Sequence, residues 1–268
     1  MREKPIIHRL QGSAFPVNAY LVEAPNGVVL VDSTLTRSDG RAIRARIDDL
    51  GKPLLGALVT HAHPDHYGAL VEIVRDEAVP IVATAGVDHV IRRDDPAKEQ
   101  ILRPMFGDEW PSQRIFPNRT VSDGESVTFD GVSFTVTDLG PGESPHDSTW
   151  TLEGDEGIAF VGDLVYNHMH AYLADGFHAQ WLENIERARS QFDPETVFYV
   201  GHGSPAAPAL LDWQAAYIRT LLDAVQAVDP GESSDAAVRD VTLRMKSFLD
   251  TDDLLFLMQL SVPALQRS

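Results

Sequence analysis

Apolar residues recur along the chain with two spacings, which predict alternating strands and helices. Two short apolar runs on either side of Pro25-Asn26-Gly27 indicate a β-hairpin. Helical spacing ahead of Gly51 indicates a helix, and the continuous apolar run after it is typical of a strand covered on both faces. In order, the elements predicted for this first part are strands over 18–24 and 27–33, a helix over 38–50, a strand over 54–60, a helix over 64–75 and a strand over 79–84.

Residues 92–119 interrupt this alternation with four prolines and several aromatic side chains, and they predict an irregular flap. The pattern then resumes, with strands predicted over 125–129, 132–138, 148–153, 157–162 and 196–200, and helices over 178–192, 206–228 and 233–250. Two halves of strands followed by helices, with no linker between them, predict one domain over 1–268. We expect a layered α/β protein, in which two packed sheets lie between helices and the C-terminal helices occupy about 206–268.

Composition narrows the classes of partner. The chain has 40 acidic and 22 basic side chains, a formal charge of -18, which disfavours nucleic acid and anionic membranes. Cysteine is absent, which excludes disulfides, thiolate ligands and a cysteine nucleophile. The first ten residues lack an apolar signal core, and no apolar run approaches the ~20 residues of a membrane span. The expectation is a cytoplasmic protein that acts on a small molecule.

The densest chemical signal is the segment 60–66, which reads Thr-His-Ala-His-Pro-Asp-His and follows a predicted buried strand. His61 and His63 point to the same side if the backbone there is extended. Asp65 and His66 lie where the chain turns into a helix. Imidazole and carboxylate ligands suit zinc, iron, cobalt or manganese, and this cluster can hold two ions. The structural alternative is a polar loop that caps a helix.

Three later strand ends carry further candidate ligands. The turn over 142–148 contains His146, Gly162-Asp163 ends one predicted strand, and Gly201-His202 ends another. Any one of these side chains is more often structural than functional. The repeated order of strand, glycine and ligand nevertheless favours a shared metal site.

This set of motifs resembles the metallo-β-lactamase-fold superfamily over most of the chain, in particular its glyoxalase II and N-acyl homoserine lactonase-like branch. The resemblance implies a four-layer αββα sandwich with metals at one edge. It further implies that Asp32, an acid at the end of an early strand, supports the ligands from behind. The implied ligands are His61, His63 and His146 for one metal, Asp65, His66 and His202 for the second, and Asp163 as the bridge.

Such a ligand set predicts a dinuclear metal-dependent hydrolase. Two divalent ions, zinc first and iron or manganese as alternatives, would lower the pKa of a bridging water, and the resulting hydroxide would attack an ester-type bond such as a lactone. Asp65 is also expected to orient the nucleophile or relay a proton. Tyr166 lies three residues after Asp163, an offset that resembles the quorum-quenching lactonases, and is expected to donate to the substrate carbonyl.

Other functions stay open at this stage. They are a mononuclear iron dioxygenase of sulfur compounds, a thioesterase or β-lactam hydrolase on the same fold, and a non-enzymatic module that metals only stabilise. His63 stands where relatives resembling flavodiiron proteins carry glutamate, which disfavours electron transfer to oxygen.

Five side chains are candidate substrate contacts, each with ordinary packing or surface exposure as its alternative. Met105, Phe106 and Trp110 are expected to form an apolar wall, and His168 and His170 to lie at the pocket mouth. The apolar segment 253–265 is expected to cover its own domain, with a homodimer interface as the alternative.

Overall fold

The structure is a computed structural model that describes residues 5–154, 157–229 and 231–267. Its strands are β1 (Ile7–Gln11), β2 (Asn18–Glu23), β3 (Val28–Val31), β4 (Leu54–Leu58), β5 (Ile81–Thr84), β6 (Arg119–Val121), β7 (Ser126–Phe129), β8 (Val132–Gly140), β9 (Asp147–Leu152), β10 (Ile158–Gly162) and β11 (Val197–Val200). Its helices are α1 (Arg37–Asp49), α2 (Pro64–Tyr67), α3 (Leu70–Ile73), α4 (Ala85–Phe106), α5 (His178–Gln191), α6 (Leu210–Gln226), α7 (Ser234–Phe248) and α8 (Leu255–Leu265).

The strands form two sheets. The first has the order β1-β2-β3-β4-β5-β6, antiparallel over β1 to β3 and parallel from β3 onward. The second has the order β11-β10-β9-β8-β7, in which only β10 and β11 pair in parallel. Helices α1, α3 and α4 pack on the first sheet, and α5 to α8 pack beside the second. This arrangement confirms the predicted four-layer αββα sandwich.

A mainly aromatic and β-branched core joins the facing sheets. The Phe160 ring of β10 lies at its centre, with the centroids of Tyr20, Phe134 and Tyr199 at 5.6, 6.2 and 5.1 Å. Tyr20 belongs to the first sheet, so Phe160 ties the two layers together. Burial of such side chains is the main favourable contribution to the packing of sheet on sheet.

Truncation of this central ring should cost about 3–5 kcal/mol of unfolding free energy, because Phe160→Ala opens a cavity where neither sheet can close it. Denaturant titration with fixed metal loading measures the loss. The matched change Phe248→Ala removes a ring that is 36% exposed and should cost less. Equal losses for the two variants would contradict this description of the core.

The predicted irregular flap over 92–119 is wrong for its first half, which continues α4 to Phe106. Thr84 caps the N-terminus of the helix, and its side chain accepts a hydrogen bond from the Val87 amide. Pro96 and Pro104 lie inside it on the exposed side. The carbonyls that lose a partner four residues earlier therefore face solvent, which lowers the cost of each proline.

Smaller differences concern the edges and the ends of elements. The edge strands β1 and β6 were not predicted, and the helix expected over 64–75 is divided into α2 and α3. The apolar C-terminal segment forms α8, and its Met258, Val262 and Leu265 pack into the helical layer of the same chain, as expected. Among the described residues, no helix has both the length and the apolar character needed to cross a membrane.

Candidate metal centre

Five strand ends meet at one edge of the sandwich. Asp32 follows β3, the segment 61–66 follows β4, Glu143 lies just after β8, Asp163 follows β10 and His202 follows β11. Bridges between the two sheets at this edge, such as the Ser148 amide to the Thr60 carbonyl at 2.8 Å, hold the loops in place. Residues that are far apart in sequence are therefore brought into one buried cluster.

The cluster contains three overlapping groups of three residues. Within each group, the three ligand atoms lie within 4.8 Å of one another. The groups are His61 with His63 and Glu143, Asp65 with His66 and His202, and His61 with His66 and Asp163. The third group shares His61 with the first and His66 with the second, and it adds Asp163 between them. Its carboxylate oxygens lie 3.9 Å from His61 Nε2, 3.5 Å from His66 Nε2 and 3.2 Å from His202 Nε2.

The structure does not bring His146 into this cluster, which corrects the predicted ligand set. The His146 imidazole is 23% exposed, and its Nε2 lies 2.7 Å from the Asp138 carboxylate. Its ring packs over Gly86 at the start of α4, where a Cβ would overlap it. The position expected for His146 is taken by the fully buried Glu143, whose Oε2 lies 2.8 Å from His63 Nδ1 and 3.6 Å from His61 Nε2.

Each clustered imidazole has a hydrogen-bonding partner for the ring nitrogen that points away from the centre. The partners are Thr60 Oγ1 for His61 at 3.0 Å, Asp175 for His63 at 3.0 Å, Asp32 for His66 at 2.9 Å and the Pro16 carbonyl for His202 at 3.3 Å. Metal-binding histidines are usually held in this way, since the outer hydrogen bond fixes the tautomer and the direction of the ring. Asp32 therefore lies behind the cluster, where the resemblance predicted it.

Four buried polar atoms that face the interior of the cluster form no hydrogen bond of good geometry with a described residue, although Glu143 Oε2 has the ion pair with His63. They are His61 Nε2, His66 Nε2, Glu143 Oε2 and Asp163 Oδ1. Buried polar atoms are rarely left unpaired, because the lost hydration costs free energy. Nitrogen and carboxylate atoms that converge without partners fit the ligand set of divalent metal ions. The residues present therefore fit two such ions.

Electrostatics in the cluster point the same way. Burial lowers the pKa of His61 and raises that of Glu143. Burial also opposes charge on His63 and Asp163, but their neighbours outweigh it. The Glu143 and Asp175 carboxylates raise the pKa of His63 well above its usual value, and the imidazoles of His202 and His66 hold that of Asp163 well below. Without metal, the carboxylates are thus balanced by protons on imidazoles, which a bound cation would displace.

Glycines allow the close approach of these loops. Gly162 has a φ of 51° and Gly201 packs against the cluster, so that a Cβ on Gly201 would overlap the Asp163 carboxylate. A Cβ on Gly142 would lie 2.6 Å from the Asp147 carboxylate, which accepts hydrogen bonds from the backbone after Gly142. A larger residue at Gly201 would displace Asp163, and one at Gly162 or Gly142 would displace the side chains that support the neighbouring ligands.

The change Asp32→Asn should weaken metal affinity by about 10- to 100-fold, because the amide keeps the shape of the side chain but not the charge that orients His66. Asp32 has a φ of 55°, a conformation that asparagine tolerates. Competition against a chromophoric chelator measures the affinity. The matched control is Asp130→Asn, the same change at an exposed aspartate with a φ of 49°. Unchanged affinity in Asp32→Asn would show that this contact does not tune the site.

The cluster forms the floor of a cavity of about 410 Å³. The candidate ligands that reach its surface are His63, Asp65, Glu143, Asp163 and His202, and Tyr166 lies beside them. The rest of the lining is mostly apolar and comes from α4, α8 and the segment around Phe15 and Leu35. The centre is thus accessible to a small molecule through this cavity.

Tyr166 lies at the centre but does not present a free hydroxyl to the cavity. Its ring stacks on His202, with centroids 4.9 Å apart and an interplanar angle of 7°. Its hydroxyl donates to Glu143 Oε1 at 2.8 Å. The structure therefore couples Tyr166 to two candidate ligands, a role that the sequence did not predict.

Of the five predicted substrate contacts, the structure places only Met105 in the cavity lining. Trp110 is fully buried against Leu35 and Leu102, where its indole donates to Glu99, and the Phe106 ring packs on Phe15. The two histidines are also displaced from the cavity. His168 packs against Trp213, with ring centroids 4.8 Å apart, and the buried His170 lies 3.0 Å from the Tyr217 hydroxyl. Ordinary packing accounts for these four side chains.

Glu143 and Asp175 were missed from the sequence. Glu143 follows Gly142 near a strand end, the same order of strand, glycine and ligand that marked Asp163 and His202. That pattern, applied to the turn over 142–148, would have selected Glu143. Asp175 lies in an irregular loop 112 residues from His63, and nothing in the sequence pairs them.

The fold and this centre define a candidate metalloenzyme of the αββα class. A family model described as the metallo-beta-lactamase superfamily matches residues 12–202, and the chain belongs to that superfamily. The uncharacterized protein YobT of Bacillus subtilis is 30% identical over 151 residues, 56% of this chain and 62% of YobT. The hydroxyacylglutathione hydrolase GloC of Haemophilus influenzae is 25% identical over 161 residues, 59% of this chain and 73% of that protein. The name of GloC describes a hydrolase.

Solved structures agree on the fold. A beta-lactamase domain protein from Burkholderia ambifaria aligns with a TM-score of 0.72 and 21% identity, covering 98% of this chain and 86% of that one. A metallo-beta-lactamase family protein from Thermus thermophilus aligns with a TM-score of 0.68, 21% identity and coverages of 94% and 91%. The match to YobT spans less than two thirds of that protein.

Proposed function

We propose that the chain hydrolyses an ester-type bond, such as a lactone, ester or thioester, with two divalent metal ions bound at the edge of the sandwich. The observation that carries the proposal is the set of buried, unpartnered ligand atoms that converge under a cavity. A metal that only stabilised the fold would usually be closed off by its ligands. Here the same ligands form the floor of a space large enough for a small molecule.

In the proposed centre, His61, His63 and Glu143 would hold one ion, and Asp65, His66 and His202 the other, with Asp163 between them. When bound, two such ions supply Lewis acidity and lower the pKa of coordinated water towards neutrality. Zinc is the first expectation. Iron and manganese remain alternatives because the same nitrogen and oxygen ligands accept them.

The protein's own residues position the reacting groups. Tyr166 holds Glu143 through its hydroxyl and His202 through its ring, so it positions both halves of the centre. Asp65 lies at the cavity surface with Oδ2 3.4 Å from His202 Nε2. We assign to Asp65 the transfer of a proton between water and the leaving group, since it is the least buried carboxylate of the cluster. The apolar walls exclude bulk water from the bond that is cleaved.

Hydroxyacylglutathione, which the names of several relatives contain, is one candidate substrate. A second candidate function, oxidation of a sulfur compound with one iron, is favoured by a specific feature of the centre. Both proposed sites combine two histidines with one carboxylate, and that ligand set with open positions is common in non-haem iron oxygenases.

The test uses protein stripped by a chelator and then reloaded separately with Zn²⁺, Mn²⁺ or Fe²⁺. Each sample is assayed on lactones, aryl esters, thioesters and β-lactams, with oxygen uptake recorded in parallel. The proposal expects hydrolysis to vanish on stripping and to return with two equivalents of metal and no oxygen uptake. Hydrolysis retained in fully stripped protein, or oxygen uptake with one iron per chain, would overturn it.

A further inference from the structure

The exposed apolar side chains are not spread evenly over the surface. Eight large ones are exposed among the described residues, and four of them line the cavity above the candidate metal centre. These four are Ile101, Met105, Phe256 and Leu260, with exposures of 57, 57, 37 and 57%. Exposed apolar side chains that cluster at one place usually mark a binding surface.

Two helical faces carry this apolar lining. From α4 come residues at positions 98, 101, 102 and 105, and from α8 and the turn beyond it come positions 256, 257, 260, 264 and 267. Both sets follow the three- and four-residue spacing of a single helix face. These two helical faces form the walls of the cavity. At one end the walls meet around Phe15, whose ring centroid lies 5.6 Å from that of Phe106 and 5.2 Å from that of Phe256.

Each wall ends in a cation. Lys98 lies about two turns before Phe106 on α4, and Arg267 lies about three turns after Phe256, so each is distant from the aromatic junction along its own segment. Neither side chain forms an ion pair or a hydrogen bond with another described residue. Two cations without a close ion pair that line one cavity are notable in a chain with a formal charge of -18.

Lys98 is also connected to the centre. It interacts electrostatically with Asp175, whose carboxylate lies 3.0 Å from His63 Nε2. The polar part of the lining thus includes the candidate metal ligands and a cation, and the apolar part extends away towards Phe15. A ligand complementary to these two parts has a hydrocarbon portion and a negative charge.

We propose that this cavity selects an anionic amphiphile, a substrate whose hydrocarbon chain lies between the faces of α4 and α8 while Lys98 and Arg267 hold its negative group. The assignment of that ligand as an ester rests on the proposed function. The binding preference itself does not require that the ligand is cleaved, because it is argued from the walls and the two cations. Because both cations are positively charged, they favour a ligand with one anionic group over a neutral or cationic ligand.

Binding to the zinc-loaded full chain tests the preference without any hydrolysis. The probes are decane-1-sulfonate, 1-decanol and decyltrimethylammonium, which share one chain and differ in charge, and titration calorimetry measures their affinity. Decane-1-sulfonate cannot be hydrolysed and is a weak metal ligand. It should bind most tightly, and shorter sulfonates should lose about fourfold in affinity per methylene removed.

Variants inside the cavity are compared with the same type of change outside it. The comparison separates the contribution of the cations and the walls to binding from a general loss of charge or apolar surface. The double change Lys98→Gln with Arg267→Gln should weaken sulfonate binding at least about tenfold, whereas Arg239→Gln, an exposed cation outside the cavity, should not. Leu260→Ser should weaken it, and Leu243→Ser, at a leucine 69% exposed outside the cavity, should not. Far-ultraviolet circular dichroism checks that each variant is folded.

The preference is overturned if decanol binds as tightly as the sulfonate, or if each cavity variant binds like its control. Sulfonate binding as expected, together with no cleavage across the ester panel, would retain the preference and reject the proposed function. Ester cleavage with no preference for anionic amphiphiles would retain the proposed function and reject the preference.

Discussion

Replacement of Glu143 with alanine should remove one of two bound metal ions and lower hydrolysis by more than about 100-fold. Removal of a residue that hydrogen-bonds to a metal ligand lowers metal affinity or activity by about 10- to 100-fold. Removal of the ligand itself should therefore have a larger effect. The same change at His146 should leave the metal content at two per chain, because its imidazole is bonded to Asp138 outside the cluster. Elemental analysis of both variants after dialysis measures the difference.

A further variant separates loss of a ligand from loss of folding. Glu143→His replaces the carboxylate with an imidazole, which can also bind a metal ion, and we expect its metal content to exceed that of Glu143→Ala. Because Glu143 is fully buried, thermal denaturation with and without zinc should accompany these assays. If His146→Ala loses metal and Glu143→Ala keeps it, the assignment of the ligand is wrong.

Replacement of Asp163 with alanine should have the largest effect on the centre, because this carboxylate lies close to His61, His66 and His202. Removal of its charge leaves three imidazoles without the anion that offsets two cations in a buried site. We expect metal content to fall below one ion per chain and hydrolysis to fall by more than about 100-fold.

The matched control for this variant is Asp138→Ala, which removes a carboxylate at the same edge that contacts only His146 among the histidines. It should keep both ions and most of the activity. Metal content of two in Asp163→Ala would contradict its place between the two ions. Equal losses in both variants would indicate a general loss of acidic charge instead.

Four of the seven candidate ligands could be predicted because they lie close together in the sequence. His61, His63, Asp65 and His66 lie within six positions after a buried strand, so the geometry of one strand end and one short helix places them. Asp163 and His202 are distant, yet each follows a glycine at a strand end, and the pairing of β10 with β11 brings those ends together.

Glu143 was missed because the same turn offered a histidine three residues later. The order of strand, glycine and ligand favours Glu143, but imidazole is the more familiar ligand, and the contacts that fix the choice are not local. Asp147 binds the backbone amides of Glu143 and Ser144 and fixes the turn, while Gly86 leaves space for the His146 ring elsewhere. These contacts join segments that are far apart in the chain.

The helix α4 shows a different limit. Prolines at 96 and 104 predicted an irregular segment, because proline usually interrupts a helix. Tertiary contacts override that tendency here: Asp95 forms a buried ion pair with Arg114 at 2.5 Å and accepts from the Tyr67 hydroxyl at 3.3 Å. The predicted apolar wall of Met105, Phe106 and Trp110 is therefore correct only for Met105. The part of the wall that α8 contributes was not predicted.

The central claim is that seven side chains, with Glu143 and without His146, hold two divalent ions. Anomalous diffraction at the zinc edge from crystals grown with Zn²⁺ tests it most directly. We predict two peaks, one among His61, His63 and Glu143 and the other among Asp65, His66 and His202, with the Asp163 carboxylate between them. A single peak, no peak, or a peak coordinated by His146 would contradict the account.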